Sequence, residues 1–259
     1  MEILVEFLLR LAFGFSICLA FSSPRDIEAD FFRFQAWVIM GICAVAAAVV
    51  TMGLATPDAD AISTSRHSLL LGLLWGACGA AYFASIVWLY RRLWLGRLLL
   101  IVQALVTLAA SAAMLPAWDL NPQGLSIWGA DFITGGMLLG STTTAMLLGH
   151  WYLNNPGMKL APLERLVGMM GLAIVARALL CGFGVAVVFS EMGQTELVFV
   201  TLRWLWGLIG LFVLTFMTWQ TVKIPNTQSA TGILYVGMIG VFLGELSSQL
   251  LSQGLGLPV

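Results

Sequence analysis

The chain has 259 residues, of which 60% are hydrophobic and only 10% charged, with a formal net charge of -1. Soluble domains carry about 25% charged residues, so this composition excludes an ordinary soluble fold and marks a membrane protein. The near-neutral balance and the lack of a basic stripe exclude nucleic acid as a partner.

Eight segments are apolar over about the 20 residues that a helix needs to cross a bilayer core. In chain order they cover 3–21, 35–54, 68–90, 97–115, 128–151, 163–189, 198–221 and 230–252. The first has Glu2 and Glu6 ahead of Arg10 and no A-x-A cleavage site, so it is expected to be a retained span and not a secretory signal. Turn chemistry marks the breaks at Ser23-Pro24, Thr56-Pro57-Asp58, Asn121-Pro122, Asn155-Pro156-Gly157 and Pro225-Asn226. Thr64 and Ser65 are expected to cap the third helix, and Thr227 or Ser229 the eighth. No loop between the segments is long enough for a soluble domain. Cys18, Cys43, Cys78 and Cys181 lie inside apolar segments without zinc or redox spacing. They read as packing residues, and no metal site is expected.

Basic residues give the orientation. Alternate loops hold Arg25, Arg33, Arg91, Arg92, Arg97, Lys159, Arg165 and Lys223, whereas the opposite loops hold Arg66 with Asp58, Asp60, Asp119, Glu191 and Glu196. The first set is therefore expected in the cytoplasm, with both termini outside an inner (plasma) membrane. Trp37, Trp88, Trp94, Trp151 and Trp219 fall at the cytoplasmic ends and Trp118 and Trp128 at the outer side, as an aromatic belt requires.

The chain also repeats itself. Leu71, Leu74, Trp75, Gly76, Gly79 and Trp88 recur as Leu202, Leu205, Trp206, Gly207, Gly210 and Trp219, each 131 positions on. Ser22-Ser23-Pro24 with Arg33 recurs as Asn154-Asn155-Pro156 with Arg165, 132 positions on. The expected fold is an all-α integral membrane protein whose eight transmembrane helices form two parallel four-helix repeats, 1–125 and 126–259. Four helices per half is an even number, so both halves enter the membrane the same way round. Gly72-xxx-Gly76-xxx-Ala80, Gly136-xxx-Gly140 and Gly240-xxx-Gly244 place small residues one turn apart for close helix approach.

Six ionisable residues fall within the spans: Glu6, Arg10, Asp131, Arg177, Arg203 and Glu245. Each costs about 2.5–3.5 kcal/mol near a bilayer centre, so each needs a partner or a purpose. Glu6 and Arg10 are four apart and share a helix face. Arg203 and Glu245 lie at similar depth on neighbouring segments, which predicts a pair. All six fall in the outer half, and the repeat does not preserve them, since Arg177 aligns with Val45, Glu245 with Met114 and Arg203 with Gly72. They predict a polar, outward-opening site whose arginines meet an anionic or carbonyl ligand, or else structural ion pairs.

His67 opens the third segment and His150 ends the fifth. They belong to opposite faces of the bilayer, so they do not share a haem. His150 is a secondary candidate as a proton-entry or quinone-contact residue. No Ser-His-Asp set, H-E-x-x-H, P-loop or G-x-G-x-x-G stands in the right context.

The expected function is that of a membrane subunit of an electron-transfer complex. It would contact quinone at the charged site, with no cofactor of its own, alongside the lipid bilayer and other membrane or peripheral subunits. In architecture this resembles the cofactor-free quinol-oxidising anchors of molybdenum-enzyme complexes, which also use two four-helix bundles; no residues carry across. The alternatives are a small-solute or ion transporter with its site between the repeats, and a scaffolding protein with no site.

Overall fold

A computed structural model of the chain describes residues 1–54, 64–115, 121–155, 157–224 and 226–259. The Thr56-Pro57-Asp58 turn, Asp60, Trp118, Asp119, Pro156 and Pro225 lie outside them. So do the side chains of Thr64, Ser65 and Glu191, and with them the proposed cap of the third helix.

Every regular element among the described residues is helical: α1 Glu2–Phe21, α2 Ala29–Thr51, α3 Thr64–Leu89, α4 Leu93–Met114, α5 Pro122–Asn154 and α6 Ala161–Val188. A 3-10 turn at Phe189–Glu191 precedes α7 Gln194–Leu202, which runs through a π-helical segment, Arg203–Gly210, into α8 Leu211–Lys223. The last helix is α9, Thr227–Leu255. Counting Gln194–Lys223 as one, eight helices among the described residues are long and apolar enough to span a membrane. These are the dimensions of a multi-pass membrane protein.

The helices outrun the apolar windows because their polar ends extend beyond the hydrocarbon-length stretch. The fifth begins at Pro122, where Asn121 Oδ1 accepts from Gly124 N at 2.7 Å. This is an N-cap followed by proline at the first helical position, where the missing N–H costs nothing. The eighth is capped by Asn226, whose Oδ1 accepts from Ser229 N at 3.0 Å, and not by Thr227 or Ser229. Gly256 ends it in the left-handed conformation at φ 73°, where a side chain would be strained.

By its contacts the chain divides into two compact units, Met1–Ser126 and Ile127–Val259. In the first, α1 packs on α2 and α4, α2 on α3, and α3 on α4, a closed ring of antiparallel neighbours. Trp88 closes one end, stacked on Phe32 with ring centroids 4.4 Å apart. Gly96 makes that closure possible, because a Cβ there would sit 2.5 Å from the Trp88 ring.

In the second unit α8 packs on α6 and α9. The fifth helix meets α6 through Asp131 and Arg177, and α9 through His150 and Tyr235. These contacts link α5, α6, α8 and α9. The repeated positions differ in environment. Trp75 and Trp206 are both exposed, but Trp88 is 1% exposed and Trp219 40%, and Leu74 is 0% and Leu205 55%. The physical reason is the π segment: i→i+5 bonding widens the turn, so residues in and beyond it point differently from their counterparts on the regular α3.

Large apolar side chains such as Leu172, Leu179, Phe183 and Phe212 face outward, while Ser141, Thr142, Thr143 and Thr144 are buried. Thr142 and Thr144 donate to carbonyls one turn back, the usual way a hydroxyl is satisfied inside an apolar helix bundle. Of the small-residue stripes, the one on α9 makes a close crossing. A Cβ on Gly207 would meet Gly244 Cα at 2.9 Å, and one on Gly244 would meet Gly207 Cα at 2.8 Å. Gly72 and Gly76 face open space.

Candidate functional site

Four of the six charged residues of the apolar spans converge within the second unit. The fifth helix presents Asp131, α6 presents Arg177, the π segment presents Arg203, and α9 presents Glu245. Their exposures are 9%, 0%, 3% and 2%. Two positive and two negative charges balance, so the cluster as a whole need not be charged in a low-dielectric interior.

Arg177 is at the centre. Its Nε donates to Glu245 Oε1 at 2.9 Å and its Nη2 to Glu245 Oε2 at 2.8 Å, a bidentate fork. Its Nη1 donates to Asp131 Oδ1, to the Asp131 carbonyl at 3.3 Å and to Thr134 Oγ1 at 3.4 Å. Nη2 also reaches Ser248 Oγ at 3.3 Å. Every nitrogen of this guanidinium is satisfied.

Arg203 is not satisfied in this way. Its Nη2 donates to Cys181 Sγ at 3.0 Å and lies 3.8 Å from Glu245 Oε1. Its Nε and Nη1 are buried and have no acceptor, as is Nε1 of the adjacent Trp204. The pairing expected between Arg203 and Glu245 is thus secondary: Glu245 belongs first to Arg177. A buried donor without a partner costs about 1–3 kcal/mol, and more when charged. Chemically, the arrangement offers N–H groups to an oxygen acceptor beside a closed, charge-balanced lattice.

Segment 257–259 lies against the same cluster. Ser248 Oγ donates to Val259 O at 2.6 Å, and Val259 N donates to Ser252 Oγ at 3.3 Å. The strap crosses α6 at Gly184, where a Cβ would fall 1.8 Å from Pro258 O. Val188, Val200 and Val259 form a buried apolar patch there, with Trp204 packed on it.

Glu6 and Arg10 form their own pair in the first unit. Arg10 Nε donates to Glu6 Oε1 at 3.2 Å, and Ser111 Oγ on α4 donates to Glu6 Oε2 at 2.6 Å. His150 is exposed, near the far end of α5 from Asp131, about 28 Å along the axis at 1.5 Å per residue. Its Nδ1 lies 3.2 Å from Tyr235 Oη. Among the described residues no group of three or more His, Cys, Asp or Glu side chains gathers to hold a metal ion.

Sequence reasoning missed Thr134, Cys181, Ser248 and Ser111. The first three carry a readable signal, since they stand three, four and three residues after Asp131, Arg177 and Glu245, on the same helix faces. Ser111 had no such mark. No protein-family model, curated protein or solved structure matches the chain.

Proposed function

We propose that the chain is a multi-pass membrane subunit of an electron-transfer complex, and that Arg203 binds a carbonyl oxygen of a quinone. The observation that carries this reading is the pair of buried, acceptor-free donors on Arg203 beside Cys181 and Glu245. A quinone carbonyl supplies an acceptor without adding net charge to a cluster that already balances. Arg177, Asp131 and Glu245 hold the guanidinium environment fixed, and Trp204 offers a flat apolar neighbour for a ring. Oxidation of a quinol releases two electrons and two protons. The electrons pass to a redox centre on a partner subunit, because this chain is read as carrying none.

The same proposal takes the two units as parallel repeats in an inner membrane, with the Arg91-Arg92 turn in the cytoplasm and both termini outside. The division of the chain into two compact units of similar length and the asymmetry of basic residues favour it.

Tryptophan fluorescence tests the site. The purified chain in nanodiscs is titrated with a short-chain benzoquinone or naphthoquinone. Saturable quenching is expected, with affinity about ten-fold or more weaker in Arg203→Gln, since a hydrogen bond to a charged group contributes about 1.5–3 kcal/mol. Quenching that never saturates, or that Arg203→Gln leaves unchanged, overturns the quinone site.

One observation favours transport as a second reading. The π segment interrupts the Gln194–Lys223 span near its middle, and irregular backbone at such a place lines substrate paths in carriers. Saturable uptake of a small anion into proteoliposomes, lost in Arg203→Gln, would select it. Neither quenching nor uptake would leave the scaffolding role.

A further inference from the structure

We infer that the first unit carries a binding site for one anionic phospholipid in the groove between α1 and α4. The groove measures about 370 Å³ and is lined by Ile17, Ala20, Phe21, Trp94, Arg97, Leu98 and Ile101. Its wall is apolar except for Arg97, one turn inside the α4 N-terminus. Phe21, Trp94, Leu98 and Ile101 are exposed along it, so an acyl chain has side chains to lie against.

Arg97 is anchored at the mouth. Its Nε donates to the Ala20 carbonyl at 2.9 Å, near the end of α1. That bond fixes the guanidinium plane across the α1–α4 seam. Nη1 and Nη2 have no protein acceptor among the described residues. A guanidinium with two free donors at the end of an apolar groove matches a phosphate joined to an acyl chain.

The net charge around it has the same sign. This end of the unit holds Arg25, Arg33, Arg91, Arg92 and Arg97 against Asp26, Glu28 and Asp30. Arg91 takes φ 53°, unusual for a residue with a side chain, in the short α3–α4 turn that presents the neighbouring Arg92. Trp94 sits at the depth where tryptophan prefers the headgroup boundary. A zwitterionic lipid fills the groove equally well but brings its own cation to this basic rim, so the site selects an anionic headgroup. The inference rests on reading α1 and α4 as membrane spans and not on the quinone reading.

Brominated lipids test it. The full chain is reconstituted in phosphatidylcholine vesicles containing a minor, equal fraction of brominated phosphatidylglycerol or brominated phosphatidylcholine. Trp94 quenching is read as the difference between the wild type and Trp94→Phe. The brominated phosphatidylglycerol is expected to quench at about five-fold lower mole fraction, the factor one basic residue contributes at an anionic surface. Arg97→Gln is expected to abolish that preference and Arg97→Lys to keep part of it. Arg33→Gln removes a charge from the same end, but Arg33 lies over the Trp37 ring and not in the groove, so it should leave the preference intact. Equal quenching by the two lipids overturns the site, as does an equal loss in Arg97→Gln and Arg33→Gln. Displacement by millimolar glycerol phosphate would show a free-phosphate site and overturns the lipid. Absence of quenching by both lipids takes the membrane reading down and the proposal with it.

Discussion

Replacing Glu245 by glutamine and, separately, Arg203 by glutamine should give very unequal losses of stability. Glu245 is 2% exposed and receives both arms of the Arg177 fork, at 2.9 and 2.8 Å. Glu245→Gln leaves two buried arginines facing the single carboxylate of Asp131. Loss of one partner of a buried ion pair costs about 3–5 kcal/mol. Arg203→Gln removes one ion pair at 3.8 Å and a contact to Cys181 Sγ at 3.0 Å, but it also removes two buried donors without acceptors. Those opposing terms, about 1–3 kcal/mol for each unsatisfied group, offset the excess carboxylate left around Arg177 and should hold the net cost to about 1 kcal/mol. Unfolding in mixed detergent micelles measures both variants. A domain of this size loses roughly 2–4 °C per kcal/mol, so about 10 °C separates the two expectations. If Arg203→Gln is as destabilising as Glu245→Gln, then Arg203 is a structural member of the lattice and its free donors do not await a ligand. The double variant should recover much of the Glu245→Gln loss, because Asp131 and Arg177 then balance alone.

Gly184→Ala places a methyl 1.8 Å from Pro258 O, so the strap at 257–259 should detach; faster deuterium uptake in a peptide spanning 252–259 and a loss of about 1–3 kcal/mol would report it. Gly244→Ala should cost a similar amount by forcing apart the crossing with Gly207, whereas Gly72→Ala, facing open space, should lie within about 0.5 kcal/mol of wild type in the same unfolding assay. A cysteine at position 92, labelled in intact cells with an impermeant reagent, should stay unmodified, while one appended after Val259 should react; the reverse pattern would invert the proposed topology.

The number of helices was legible because each apolar window is long enough to read without tertiary context. Their true ends were not, since Asn121, Asn154 and Asn226 are polar residues that hydropathy treats as loop and that caps or end turns hold in place. The six charged positions were legible from their cost in an apolar span. Their partnering was legible in part: spacing gave Glu6 with Arg10 and depth gave Arg203 with Glu245, but the rotation of each helix decides that Glu245 meets Arg177 first. The π segment was invisible because Arg203–Gly210 has no proline, and its glycines, Gly207 and Gly210, read as small packing residues of the repeat. It is also where the exposures of Leu205 and Trp219 depart from those of Leu74 and Trp88.

The glycine crossing bears on how tightly the second unit can hold a guest. Gly207 lies one turn from Arg203 and Gly244 next to Glu245, and the two backbones meet with no side chain between them. Side chains that set such a separation could change rotamer and let it breathe; main chain in contact has no comparable freedom. The entropy of ordering this corner is therefore spent when the chain folds. On the proposed function, a quinone would meet a preorganised receptor, and its residence time should respond sharply to single atoms at its polar end.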